Sequence, residues 1–418
     1  MNRALFFLRC YFILIGIAVL SIPFTSVLYF FITPLLLIFW IIEGDWKNKW
    51  RRMKESQTVI ITCSLILFWL INVTGLFYSN DLVRGLMRTY DKLPFLVYPL
   101  VFFTLDTTCL TKTKLYSLFK GFLCATAIML LICWGNAFTQ FFKTGNTSFF
   151  YYALFSHFFG HTSYCALIVC IALCIAFHLY INSKKTYRWL WIILLLFFVV
   201  SIYFFQSRSG ILALVFILII SLFYYLHAYK KSYWYGIGGI VIILLFTFTL
   251  TKLFPSRVGY YVKKVTIEQL QPEKMLGLRN SIWQITCKLA MENKMLGIGT
   301  GYHNESFLTE AEAQIINKHT SFINAHNQYL QTFLEHGLVG LIILIVAILY
   351  SLYYAIKTKN YLLLMLLITI CINMFFESML ERNKGIFAFT LFFCLFVVKN
   401  IFLQPFVKNN HQLLEKFQ

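Results

Sequence analysis

A histidine and three amides crowd the approach to an apolar run in AHNQYLQTFLEHGLVGL, residues 325–341. An imidazole titrates near neutrality, so His326 can take a proton from an attacking hydroxyl. Asn327 and Gln328 beside it can orient a polyhydroxylated ligand. The competing reading is a helix cap, with the imidazole satisfied by a backbone carbonyl. His336 lies ten residues on, roughly 80° around a helix from His326. The two therefore lack the i,i+4 spacing of a metal pair. Gly337 and Gly340 allow close helix packing.

Two arginine segments add a different chemistry. In QSRSGIL (206–212) Arg208 separates two apolar runs, so it belongs at a membrane–water boundary and at the start of a helix. Free N–H groups and a partial positive charge at that start, with a forked guanidinium, would cradle a phosphate or diphosphate. The alternative is an arginine that snorkels to the interface as an anchor. In GLRNSIW (277–283) Arg279 opens an amphipathic stretch, where a solvated arginine and an anion-binding one are both open readings. Weaker signals are His161 and Tyr164 in GHTSY, the pair Arg84 and Arg88, and Glu377, Glu381 and Arg382 in FFESMLERNKG. His161 suits acceptor binding or an interfacial belt. Arg84 and Arg88 suit a lipid-phosphate entry or snorkelling. Glu377, Glu381 and Arg382 suit pairing with one another, or Glu377 suits orientation of a catalytic cation. No paired aspartates or Walker loop stand in the sequence, so the expected chemistry uses no metal, nucleotide or other cofactor.

These residues sit in a chain that is 60% hydrophobic and only 12% charged, with a mean hydropathy of +0.73. Soluble domains carry about 25% charged residues, so the composition gives an all-α integral membrane protein. Spans of about 20 apolar residues are expected near 4–22, 24–42, 58–78, 84–105, 115–137, 161–181, 189–206, 209–229, 233–253, 336–356, 360–378 and 385–403, twelve in all. The fourth carries Arg84, Arg88 and Lys92 in its first turns. The net charge of +20 falls largely in short gaps such as KNKWRRMK and SKKTYR. That is the positive-inside bias of a membrane protein and not the stripe of a nucleic-acid reader. It sets both termini on the cytoplasmic side. The eleven cysteines lie mostly in apolar runs and show no disulfide or metal spacing. The N-terminal run has no small-residue cleavage site and reads as a first span.

One outward connection breaks the regularity. Residues 254–328 join the ninth and tenth spans within a single polytopic unit, 1–418, and exceed ordinary loop lengths. Inside them Ile282, Ile285 and Leu289 share a helical face, and glycines 297, 299 and 301 punctuate the chain. All the candidate groups fall on the outward side. A transporter would instead favour midplane charge in broken helices, and it remains the reading from another class.

His326-Asn327, nine residues, Gly337, two residues and Gly340 reproduce the pattern H-[NSQ]-x9-G-x-x-G. Together with the QSRSGIL and GLRNSIW arginines and the long outward loop, the chain resembles the bacterial O-antigen ligase family, within the O-antigen ligase and polymerase superfamily. The resemblance implies a metal-independent, inverting glycosyltransferase of the C-type membrane fold in the inner membrane, working at its periplasmic face. It would move a glycan from undecaprenyl diphosphate to a sugar hydroxyl of lipid A–core, in lipopolysaccharide biosynthesis, with membrane lipids as its surroundings. Arg208 and Arg279 would bind the diphosphate, and His326 would activate or position the acceptor hydroxyl. An O-antigen or exopolysaccharide polymerase is the nearest alternative, and a protein O-oligosaccharyltransferase is a further relative.

Overall fold

The computed structural model describes residues 3–145, 147–150, 154, 160–231, 234, 236–240, 272–302 and 324–403 of the 418. Its regular elements are helices. In chain order they are α1 Arg3–Ser21, α2 Tyr29–Glu43, α3 Trp46–Glu55, α4 Val59–Thr74, α5 Leu82–Asp91, α6 Pro94–Phe102, α7 Lys112–Thr144 and α8 Thr162–Asn182. There follow α9 Arg188–Phe204, α10 Arg208–Ala228, α11 Pro272–Glu292, α12 Gln328–Lys357, α13 Tyr361–Phe376 and α14 Asn383–Leu403.

Among the described residues, seven helices are long and apolar enough to cross a membrane, or eight if α2 and α3, bent by 113°, count as one span. Two further apolar helices, Leu5–Ser21 and α13, are shorter. What stands is an all-α membrane architecture of seven to eight long apolar helices. The expected ninth span, 233–253, and the loop pieces 254–271 and 303–323 lie largely or wholly outside the described residues.

The fourth expected span is corrected. Residues 84–105 form two short helices, α5 and α6, joined at Lys92 and Leu93. Pro94 opens α6 at a position that needs no N–H. In α5, Val83, Leu86 and Met87 are exposed, whereas Gly85 and Thr89 are buried. Such a helix suits the plane of a membrane interface rather than a crossing.

Apolar burial centres on α8 and α14, whose membrane-length windows are each 83% buried. Helices apolar on every side must lie inside a bundle. The packing also sets the level of the ends. Tyr224 of α10 stacks on Tyr361 of α13, and Ser221 meets the Met365 sulfur at 3.4 Å. These helices are therefore antiparallel, and at about 1.5 Å per residue Arg208 comes level with the end of α13 and the turn after it.

Helix α12 is broken at Gly337, whose φ of 60° and ψ of −161° are not helical. The segment after α11 enters the break. Leu338 N–H donates to the Lys294 carbonyl at 2.8 Å, and Ile298 and Gly299 donate to the Leu334 and Glu335 carbonyls at 2.9 and 3.0 Å. A Cβ at Gly337 would stand 2.3 Å from the Met295 carbonyl. One at Gly340 would stand 2.3 Å from the His336 Cβ. At Gly337 the close approach is thus to a loop threading a helix break, and at Gly340 to the preceding turn of the same helix.

Candidate functional site

His326 stands one residue before the Asn327 cap of α12, in a left-handed conformation with φ of 47°. Its backbone is held on both sides. The Trp283 indole of α11 donates to the Ala325 carbonyl at 2.7 Å, and Gln331 accepts from Ala325 N–H at 3.0 Å. The Asn324 side chain accepts from His326 N–H at 3.1 Å. The imidazole, 30% exposed, sets Nδ1 3.0 Å from Oε1 of Glu377, which is 7% exposed in its side chain. That oxygen also accepts from Ser378 N–H at 3.3 Å. An ionised carboxylate only accepts, so Nδ1 carries the ring proton and Nε2 is the nitrogen left to take one. A carboxylate so placed fixes the tautomer and the orientation of the ring.

Beneath this pair lies a buried ionic cluster. The Lys92 ammonium, 1% exposed, lies 2.8 Å from Glu381 Oε1, 3.4 Å from Glu335 Oε2 and 2.9 Å from Asn72 Oδ1. Burial opposes its charge, yet Glu335 and Glu381 hold it protonated above the usual lysine range. Gln328 donates to Glu381 at 3.2 Å and accepts from Leu380 N–H at 2.6 Å, tying the start of α12 to the turn 377–381. Gln331 donates to Glu335 at 2.8 Å and to Tyr302 at 3.2 Å. His336 is buried and meets Asn72 at 3.0 Å. It belongs to this cluster and not to the mouth of the helix.

Arg84 and Arg88 face the same region from α5. Arg88 donates to the Glu381 carbonyl, and Arg84 lies 3.6 Å from Asp81. Both line a small recess, with room for little more than a water molecule, together with Tyr302, Asn324, Gln331 and Glu335. At the end of α5, burial pushes the Asp91 carboxyl up to about 6, against the pull of Arg88. Close packing of α5 on the glycine segment fixes this wall: Gly301, at φ of 78°, would press a Cβ 2.1 Å from Gly85 N.

Arg208 is exposed at the first position of α10, behind the Ser207 cap, which accepts from Gly210 N–H at 3.3 Å. Gly210 abuts Ala166 near the start of α8. The Tyr164 hydroxyl of α8 donates to the Ser378 carbonyl at 3.3 Å, and Gly385 of α14 packs on Met379. The N-termini of α8, α10, α12 and α14 therefore gather around the turn 377–381, each with its partial positive charge. His161 caps α8 through Ser163 N–H at 3.3 Å. Asn327 accepts from Leu330 N–H at 3.1 Å, so its oxygen serves the cap. Arg279 lies on α11 one turn before Trp283; its side chain lies outside the described residues. Among those residues, no group of three or more His, Cys, Asp or Glu side chains could hold a metal ion.

Residues 193–345 match the family model described as O-antigen ligase. The chain contains an O-antigen ligase family domain. A relative from Haemophilus influenzae strain Rd, itself described as an uncharacterized protein, is 28% identical over 207 residues. The match covers 46% of this chain and 52% of the relative, so the chain spans about half the length of the relative it matches.

The O-antigen ligase match takes in Arg208, Arg279, His326, Asn327, Gly337 and Gly340. Arg84, Arg88, Lys92, Glu377 and Glu381 lie outside its residues, yet the last three complete the geometry around His326. Asn72 and Lys92 went unrecognised in the sequence as parts of this cluster. Each is a polar residue set among apolar ones, as in WLINVTG and YDKLPF, and that is the signal that could have found them.

Proposed function

We propose that this chain is an O-antigen ligase of the bacterial inner membrane, transferring a glycan from undecaprenyl diphosphate to a sugar hydroxyl of lipid A–core at the periplasmic face. The observation that carries the reading is the contact of 3.0 Å between His326 Nδ1 and Glu377, beside helix N-termini and arginines at one end of the bundle. Nε2 of His326 takes the proton of the acceptor hydroxyl as its oxygen attacks the anomeric carbon. The bond to the diphosphate breaks, and undecaprenyl diphosphate leaves with the electron pair. Arg208 and Arg279 neutralise the negative charge that develops on it, a task that preorganised cations perform in low dielectric. Arg84, Arg88, Asn327 and His161 contact the donor or the acceptor. A single displacement inverts the anomeric centre, and no metal takes part.

Gel analysis of lipopolysaccharide from a deletion strain tests this. A ligase deletion yields bare core and accumulates long undecaprenyl-linked glycan. A core capped with one repeat unit would assign the chain as a polymerase instead.

A further inference from the structure

We propose that Lys92 is a positioning residue for glycan transfer: its buried ammonium fixes the turn 377–381 against the start of α12 and so sets Glu377 on His326. The inference rests on the reading of His326 as the group that receives the acceptor proton.

An ammonium has three N–H donors, and Lys92 has three acceptors from three elements. Asn72 comes from α4, Glu335 from α12 and Glu381 from the turn, at 2.9, 3.4 and 2.8 Å. With every donor engaged and the side chain 1% exposed, Lys92 is suited to hold neighbours in place and not to bind substrate. Stability alone is a poor account of it, because apolar residues often replace a buried ion pair without loss. The geometry supplies a better one. His326 and Glu377 sit on separate segments of irregular chain, and Gln328 crosses between them to Leu380 N–H and Glu381. Within the turn, Glu381 N–H donates to the Ser378 carbonyl at 3.1 Å and Met379 N–H to the Glu377 carbonyl at 2.8 Å. Four residues with these bonds transmit the position of Glu381 to Glu377. The charged and titratable groups around this device are Glu377, Glu381 and Arg382 from the turn and the residue after it, His326, Glu335 and His336 from α12 and its approach, Arg88 and Asp91 from α5, Tyr164 from α8 and Tyr302.

Lys92→Met in the full-length protein leaves Glu335 and Glu381 buried without their shared cation. We expect transfer to slow about 10²-fold, the scale of a misplacement of one ångström, with KM for the lipid-linked donor little changed. A second readout needs no turnover: the rate of His326 carbethoxylation by diethyl pyrocarbonate at about pH 7, near the ordinary histidine pKa, followed by peptide mass spectrometry. Release of Nδ1 from Glu377 opens a second ring nitrogen to the reagent, so His326 should react measurably faster than in the wild type. The double variant Lys92→Met, Glu381→Gln removes one of the two stranded charges, so it should regain part of the thermal stability yet remain slow. Wild-type rates of transfer and of carbethoxylation in folded Lys92→Met, or their recovery in the double variant, overturn the proposal. Should Lys92→Met fail to accumulate in the membrane, Lys92→Arg and the double variant carry the same test, because neither preserves three single-point donors. If the wild-type chain proves not to be a ligase, the carbethoxylation rate still decides the role of Lys92, so the two failures stay distinguishable.

Discussion

The turn around His326 and the turn around Arg208 open two helices at the same end of the bundle, but they are built differently. His326 is framed by bonds from Asn324, Trp283, Gln331 and Glu377, drawn from three separate stretches of chain. Arg208 is exposed, and the bonds around it, between Ser207, Ser209 and Gly210, are local. The difference follows the reach of the forces each residue would use. Proton transfer needs a heavy-atom separation of about 2.6–3.2 Å. Charge neutralisation falls off slowly with distance and tolerates a mobile side chain.

The strongest break of this comparison is at the histidine. His326→Ala should lower transfer by about 10²–10⁴-fold, the usual contribution of a general base, with the protein still in the membrane. Glu377→Gln should lower it less, because the amide oxygen can still accept from Nδ1–H but lacks the carboxylate's charge. Wild-type turnover by either variant, measured on isolated donor and acceptor, removes that residue from the chemistry.

Arg208 should respond in a graded way. Arg208→Ala is expected to cost about 10²-fold, similar to the loss of one preorganised donor at a developing anion. Arg208→Lys should recover much of this, since a point charge still serves an exposed site. A lysine as poor as alanine would show that the fork geometry matters and that Arg208 is as constrained as His326.

How far this contrast was legible in the sequence depends on the range of the interactions. The start of α10 at Arg208 follows from QSRSGIL, where a serine cap precedes an apolar run. Burial of Ile282, Ile285 and Leu289 on α11 follows from their 3- and 4-residue spacing. Gly337 was legible as a residue but not as a helix break, because the segment that threads the break is some forty residues earlier. Lys92 read as a flaw in a span, although its acceptors lie 20, 243 and 289 positions away in the chain. Side-chain pairs between distant segments leave no periodic mark.

Stability measurements sharpen the same contrast. Gly337→Ala puts a side chain where φ is 60° and where Met295 leaves 2.3 Å for a Cβ. Strain of this kind costs of order 1–3 kcal/mol, with the clash added, so thermal unfolding in detergent should begin well below the wild type. An unchanged midpoint would mean that the break does not anchor the His326 turn. Asp91 gives a pH-dependent counterpart. Its folded carboxyl titrates at about 6, above the ordinary value of 3.8. The folded state therefore holds a proton that the unfolded state has released, and stability falls as pH rises from about 4 to 6. Asp91→Asn should flatten that fall and raise the melting temperature at pH 7; a steeper fall would reverse the assignment.

The smallest effect separates two roles at one residue. Asn327 caps α12 through Leu330 N–H, and loss of such a cap costs about 1 kcal/mol. Asn327→Ala should show that loss, whereas Asn327→Ser should keep the cap and the melting temperature. Transfer then decides what else the side chain does. If the serine variant is as fast as wild type, Asn327 acts through the helix alone, as Ser207 does behind Arg208. If it is stable but slow, the Asn327 amide N–H₂ group touches substrate, and the two turns differ in contact with ligand as well as in bracing.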